Sequence, residues 1–295
     1  MKLREIIFNL QTKSYNARDL TILADHITAS GIKQIAYSRR PIPTVYCVTG
    51  DGTLACMTYI TEQGVFAWHE YETGMTAGAF DGLDDIESVA VIPGITSDDV
   101  YITVKRTIDS VTKRYIEKLA QPFDSTTISD ARQLDSFLID TGLNAVVTGL
   151  SHLEGEVVTY IVDGDPSKVG TATVASNQIT MSWTPTINAI VGVPYTCVLQ
   201  TMRLEAGGQK GPSQGLTKRV GCVLLRLYQS LGGSVGPTPS NTHAIPDATT
   251  QVTGDRKVKF PGGWNTEGYV TVVQDKPLPL AISAISPDSD TSDDF

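Results

Sequence analysis

Apolar and polar residues alternate over most of the chain in short runs broken by Gly, Pro, Asn and Asp, and this period of two predicts antiparallel strands. A mainly-β fold class is the first expectation. One stretch reads otherwise. From Asn16 to Ser30, Ala17, Leu20, Ile22, Leu23, Ala24 and Ile27 gather on one side of a helical projection, with Asn16 placed to cap its start and Gly31 to end it. It is expected as one short N-terminal helix lying on the sheets.

Strand signals then follow one another. Ile32, Ile35 and Tyr37 belong to one strand, Arg39 to Pro43 to an irregular link, and Thr44–Thr49 and Thr53–Tyr59 to a hairpin turning at Asp51-Gly52. A two-residue type I′ turn there sets Cys47 opposite Cys56. Two small buried hydrophobes is the favoured reading of that pair, with a redox switch as its rival. An aromatic strand at Phe66–His69, a strand at Ile86–Ile92 and a hairpin of Val100–Thr107 with Thr112–Leu119 continue the meander. The last hairpin gathers Lys105, Arg106, Lys113 and Arg114 near its Asp109-Ser110 turn. A solvated tip offset by Asp98, Asp99, Asp109 and Glu117 is favoured over a partner surface.

Composition divides the chain. Residues 1–120 read as a propeller-like β meander and 121–136 as a polar connector with one helical turn. Six short strands over 137–195 read as a small β-sandwich. Residues 196–286 read as a β return segment packing on the first part, and 287–295, with Asp288, Asp290, Asp293 and Asp294, as a disordered acidic tail. The hydrophobic fraction of 41% over 295 residues supports real cores. With 23 Lys and Arg against 32 Asp and Glu, the net charge of −9 disfavours a general nucleic-acid binder. Apolar runs are too short for a helical membrane span, and the N-terminal residues lack a secretory signal, so synthesis in the cytoplasm is expected.

Candidate chemistry changes this picture little. The cysteines Cys47, Cys56, Cys197 and Cys222 contain no CxxC pair, and His26, His69, His152 and His243 are scattered, so no metal residue is assigned. The loop from Gly207 to Gly215 has no Gly-Lys-Ser/Thr step and leads into a strand, which makes it a hairpin or channel-facing loop rather than a phosphate cradle. No Gly-x-Ser-x-Gly is present. Glu70, Glu72, Asp84 and Asp85 are acids without a distinguishing pattern, so no catalytic or cofactor residue is assigned and the chain is not expected to be an enzyme. Trp68 and Trp264 are expected in cores; Trp183 is open between core and sugar-stacking roles.

Several stretches, in order along the chain, are familiar: Ala17 to His26, Ile35-Ala36-Tyr37, Thr53 to Tyr59, Ala67-Trp68-His69, Glu87 to Pro93, Arg114 to Glu117, Gly149 to Gly155, and Gly262-Gly263-Trp264. Together they resemble the tail nozzle proteins of short-tailed bacteriophages, also called the tail tubular protein B family. Members are usually longer, and the resemblance is to their C-terminal portion. It implies a structural virion protein at the tail tip, one subunit of a homo-oligomeric, sixfold ring around the DNA exit channel used in genome ejection. It implies contact with the tail adaptor and with tail fibres, and DNA passing without specific binding. The alternative function is a glycan-binding or glycan-cleaving tail module.

Overall fold

A computed structural model describes residues 2–74, 85–205, 207–208, 211–212, 215–246 and 250–292, with only the backbone of 207–208 and 211–212 described. It is mainly β: many small antiparallel sheets, with helical structure among the described residues limited to three single 3-10 turns. The chain divides into two units, Met1–Gln121 and Pro122–Phe295.

The first unit begins with a two-stranded ribbon of β1 (Arg4–Asn9) and β2 (Ser14–Asp19). A four-stranded meander follows, of β3 (Ile32–Ser38), β4 (Thr44–Thr49), β5 (Leu54–Ile60) and β6 (Val65–Tyr71). A three-stranded one comes next, of β7 (Asp85–Ile92), β8 (Asp99–Ile108) and β9 (Val111–Lys118). Every second residue of β8 is buried, and Val100, Ile102 and Val104 share a core with Ile86, Val89, Val48, Leu54 and Cys56. Full burial of each such aliphatic contributes roughly 1.5–3 kcal/mol. At the seam between the meanders, the Gln34 amide takes the place of a strand neighbour, donating to the Val89 carbonyl at 2.9 Å and accepting from the Val89 N–H at 3.2 Å.

The helix expected over Asn16–Ser30 is absent. Asn16, Ala17 and Arg18 are spent on the ladder with β1, and Asp19 then accepts from the backbone N–H and hydroxyl of Thr21, an Asx turn that leads the chain out of the strand. Successive three-residue turns close at Ala24, Ile27, Ala29 and Gly31, leaving Ile22 and Leu23 exposed. Local side-chain bonding and cross-strand pairing outcompete the amphipathic pattern.

The β4–β5 hairpin forms one residue out of the expected register. Gly52, and not Asp51, has positive φ, at 86°, and Thr49 receives the Gly52 N–H and pairs with Thr53, so the turn is a type I turn closed by a glycine bulge. Cys47 therefore faces Ala55, and Cys56 faces Tyr46. One step of register puts the two thiols on opposite faces of the sheet. The β8–β9 turn, in contrast, is a two-residue loop with Asp109 and Ser110 both at positive φ, 49° and 61°.

The second unit contains the Ile128–Asp130 turn and a sheet ordered β10-β15-β12-β13, made from β10 (Asp135–Asp140), β12 (Val157–Val162), β13 (Val169–Thr173) and β15 (Ala189–Val193). A two-stranded sheet pairs β11 (Val146–Thr148) with β14 (Gln178–Thr180). Gly170 lies opposite Tyr160, and a Cβ there would meet the phenol oxygen at 2.4 Å, so the tyrosine ring occupies the space a side chain would take. A second four-stranded sheet is ordered β16-β23-β20-β21, from β16 (Cys197–Gln200), β20 (Ser234–Thr238), β21 (Asn241–Ala244) and β23 (Thr271–Gln274). Between them in sequence, the backbones of β17 (Gly207–Gly208) and β18 (Gly211–Pro212) pair as a small hairpin. The last sheet sets the 13-residue β19 (Lys218–Ser230) between β22 (Val252–Lys259) and β24 (Ala281–Thr291). Bulges at Val220/Cys222 shift its phase so that Val220 joins Val223, Leu225 and Leu227 in one core.

Strand β24 runs to Thr291, so most of the segment expected as a disordered tail is hydrogen-bonded sheet, with Asp288 opposite Cys222 and Asp290 opposite Arg219. Asp293 and Asp294 lie outside the described residues, as do Asp84 and part of the loop from Gly207 to Gly215. The described sheets do not close into a propeller or barrel.

Candidate functional site

The densest basic patch of the sequence lies on β8 and β9. The alternation that buries Val104 and Ile108 also buries Arg106, whose side chain is fully enclosed. Its Nε and Nη2 donate to the two carboxylate oxygens of Glu117, each at 2.8 Å, and Nη1 reaches the Gly74 carbonyl at 3.4 Å. A planar fork on a carboxylate is the geometry in which a buried guanidinium is best tolerated. Around it, Lys105 pairs with Asp85 at 2.7 Å, Arg114 grips Glu87 at 2.7 and 2.9 Å, and Lys118 meets Asp99 at 2.7 Å. Hydrogen bonding from Arg114 holds the Glu87 carboxyl below its ordinary range.

As the sequence leads one to expect, the hairpin is offset by carboxylates: Glu117 and Asp99 are two of the expected ones, and Asp85 and Glu87 of β7 are two further ones. Arg106 is core and not tip, because the strand alternation runs through it. Asp98 serves backbone instead of cations. It is nearly buried, and its carboxylate accepts the N–H groups of Gly94 at 3.1 Å, Arg39 at 2.6 Å and Arg40 at 3.1 Å, which lower its pKa. A second such clamp is Asp163, which accepts the N–H groups of Thr186 and Ile187, the Thr186 hydroxyl and the Lys168 ammonium. Burial works to raise its pKa, but these donors prevail and hold it at about 2. Both acids fix loops.

The cysteines are all free, with Cys47 and Cys56 buried and Cys197 exposed. Burial pushes the Cys47 thiol up to about 11 and the Cys56 thiol higher still. Among the described residues no group of three or more His, Cys, Asp or Glu is arranged to hold a metal ion, and no helix is long and apolar enough to cross a membrane. In the second unit a shallow recess of about 130 Å³ is lined by Phe123, Gln133, Tyr228, Gln229 and the 279–281 segment, with no carboxylate on its wall.

The tryptophans differ from one another. Trp68 is half-buried and donates from its indole to the Leu20 carbonyl at 2.9 Å. Trp183 packs edge-on to Tyr160, with ring centroids 6.3 Å apart. Trp264 is 52% exposed, against the expectation of a core role; it sits between Gly263 and Asn265 in a loop whose bonds are made by Asn265, leaving the ring outside.

Exposed apolar residues concentrate elsewhere. Ile6, Ile7, Phe8, Leu10 and Tyr15 of the β1–β2 ribbon, and Val198, Leu199 and Met202 on and after the edge strand β16, all present large hydrophobic surface to solvent. Comparison with protein-family models finds no match to this chain, and a search of curated proteins finds no relative.

Proposed function

We propose that the chain is a structural wall component of a short-tailed phage tail nozzle, forming part of the channel through which DNA leaves. The carrying observation is the state of its basic patch: at the surface Lys105, Arg114 and Lys118 are each paired with a carboxylate of their own sheet, while Arg106 is withdrawn into the core against Glu117. A surface most of whose cations are already neutralised has few counterions to release on meeting phosphate, so it adds little to the retention of a passing duplex. The net charge of −9 acts in the same direction.

The four-stranded meander β3–β6 supports a propeller-like body, and the sheets of 135–193 support a small sandwich. The exposed apolar strands supply surface for neighbouring copies, the tail adaptor and fibres. On the alternative reading, a glycan module, Trp264 is the aromatic placed to stack on a sugar, and a mixture of saccharides quenching its fluorescence is the result that would favour it.

Electron microscopy of the purified chain with the tail adaptor tests the proposal. Rings with a central passage are expected. A chain that stays monomeric at every concentration with adaptor present overturns it.

A further inference from the structure

The β1–β2 ribbon is organised in a way that its sequence alternation explains. Pairing of Ile6 with Ala17 and Phe8 with Tyr15 puts these four residues on one face, while Glu5, Ile7 and Asn9 share the other with Arg18, Asn16 and Ser14. The second face is tied down at its base: the Tyr59 hydroxyl donates to Glu5, and the Arg18 guanidinium lies 4.3 Å from the centre of the Phe66 ring. The first face is bare. Ile6 is 70% exposed and Tyr15 75%, and the Phe8 and Tyr15 rings meet edge-on at 5.1 Å. A two-stranded ribbon is marginal in water without a surface to cover its apolar side.

Charge identifies the cover. Residues 2–19 hold four cations and two carboxylates, whereas the rest of the chain holds 19 cations and 30 carboxylates. Within the ribbon Lys2 is paired with Asp19, but Arg4 and Lys13 have no ion-pair partner among the described residues. A basic arm with a greasy face matches an acidic body with exposed apolar strands, and this chain's own body is such a surface.

We infer that the ribbon is an assembly arm whose Ile6, Phe8, Tyr15 and Ala17 face seats on the acidic body of a second copy of this chain, with Arg4 and Lys13 steering it. The contact is heterologous: one patch meets a different patch on the neighbour, so it propagates around a closed ring. This rests on the wall reading, since it names the contact by which copies join.

The test uses the full chain in three forms: unaltered, Phe8→Ser with Tyr15→Ser, and Arg4→Glu with Lys13→Glu. Sedimentation velocity over a range of concentration and salt reads association. Self-association of the unaltered chain that weakens with salt is expected, with a dissociation constant about tenfold or more higher for the aromatic pair and several-fold higher for the charge pair. The charge pair lies on exposed positions, so it keeps the test informative where the aromatic pair harms folding. A photoreactive benzoylphenylalanine at position 15 gives adducts of twice the chain mass. Oligomers indifferent to both pairs of changes, or adducts formed only within one chain, overturn the arm and leave the wall reading standing. A monomer in every condition, with adaptor present, overturns both.

Discussion

Arg106 and Glu117 face one another across β8 and β9 along the strands, not directly opposite: the backbone partner of Arg106 is Lys113, and that of Glu117 is Ile102. The guanidinium thus reaches along the core face, past Val104, to a carboxylate with which it makes two parallel bonds. Removing one member strands the other. Glu117→Ala is expected to cost about 3 kcal/mol or more in urea denaturation, and replacement of both residues by leucine to recover most of that. A single substitution within half a kcal/mol of the unaltered protein counts against the pair as described.

Asp163 makes the second unit sensitive to acid. Its carboxyl is held at about 2, below the roughly 3.9 of an unfolded chain, so the unfolded state takes up the proton first as pH falls. The stability it contributes is complete above about pH 4 and is lost as pH falls through 2. Asp163→Asn should lower stability at neutral pH by about 1–3 kcal/mol. The gap between variant and unaltered protein should narrow from pH 4 to pH 2 when both are melted in parallel.

The thiols should fall into groups. Cys47 and Cys56 are buried on opposite sheet faces, so a thiol reagent at pH 8 should reach them only after unfolding, while the exposed Cys197, whose thiol is also raised by its surroundings, reacts slowly in the native protein. Mass spectrometry of the labelled peptides before and after denaturant distinguishes them. A native disulfide between Cys47 and Cys56 would contradict the register of the hairpin.

Gly52 closes that hairpin at a φ of 86°, and a Cβ placed on it would meet the Asp85 carboxylate at 2.5 Å. Gly52→Ala should therefore destabilise the protein by about 1–2 kcal/mol, whereas alanine at Gly263, where the space is open and φ is ordinary, should be tolerated. Thermal melts of the two variants side by side make the comparison.

Strand positions are legible where apolar stretches are bounded by turn residues, as at Asp85–Ile92, Val157–Val162 and Lys218–Ser230. Boundaries of turns are less so. Asp51-Gly52 fits two hairpin geometries, and only the tertiary register, with Thr49 bonded to Thr53, separates them. The segment after Asn16 reads as a helix because its apolar spacing is right, but its first residues are in demand as partners for Arg4–Asn9, a pairing no local window contains. Its charge makes Arg106 read as surface; the phase of β8 puts it inside, and phase is the stronger signal where a strand has a core on one side. Asp98 reads as a counter-charge to the basic tip and Asp163 as a turn acid, since most of the N–H groups they gather come from residues distant in sequence.

The Gln34 amide has a consequence for solubility. It bridges the rim of β3 to Val89 on the rim of β7, mimicking one rung of a ladder from each direction. Cut that rung, and the backbone of Val89 loses the partner that occupies its free edge, leaving one open position for a stranger's strand. A glutamine on the surface thereby guards the protein against clumping, a duty that its modest contribution to folding energy does not reveal.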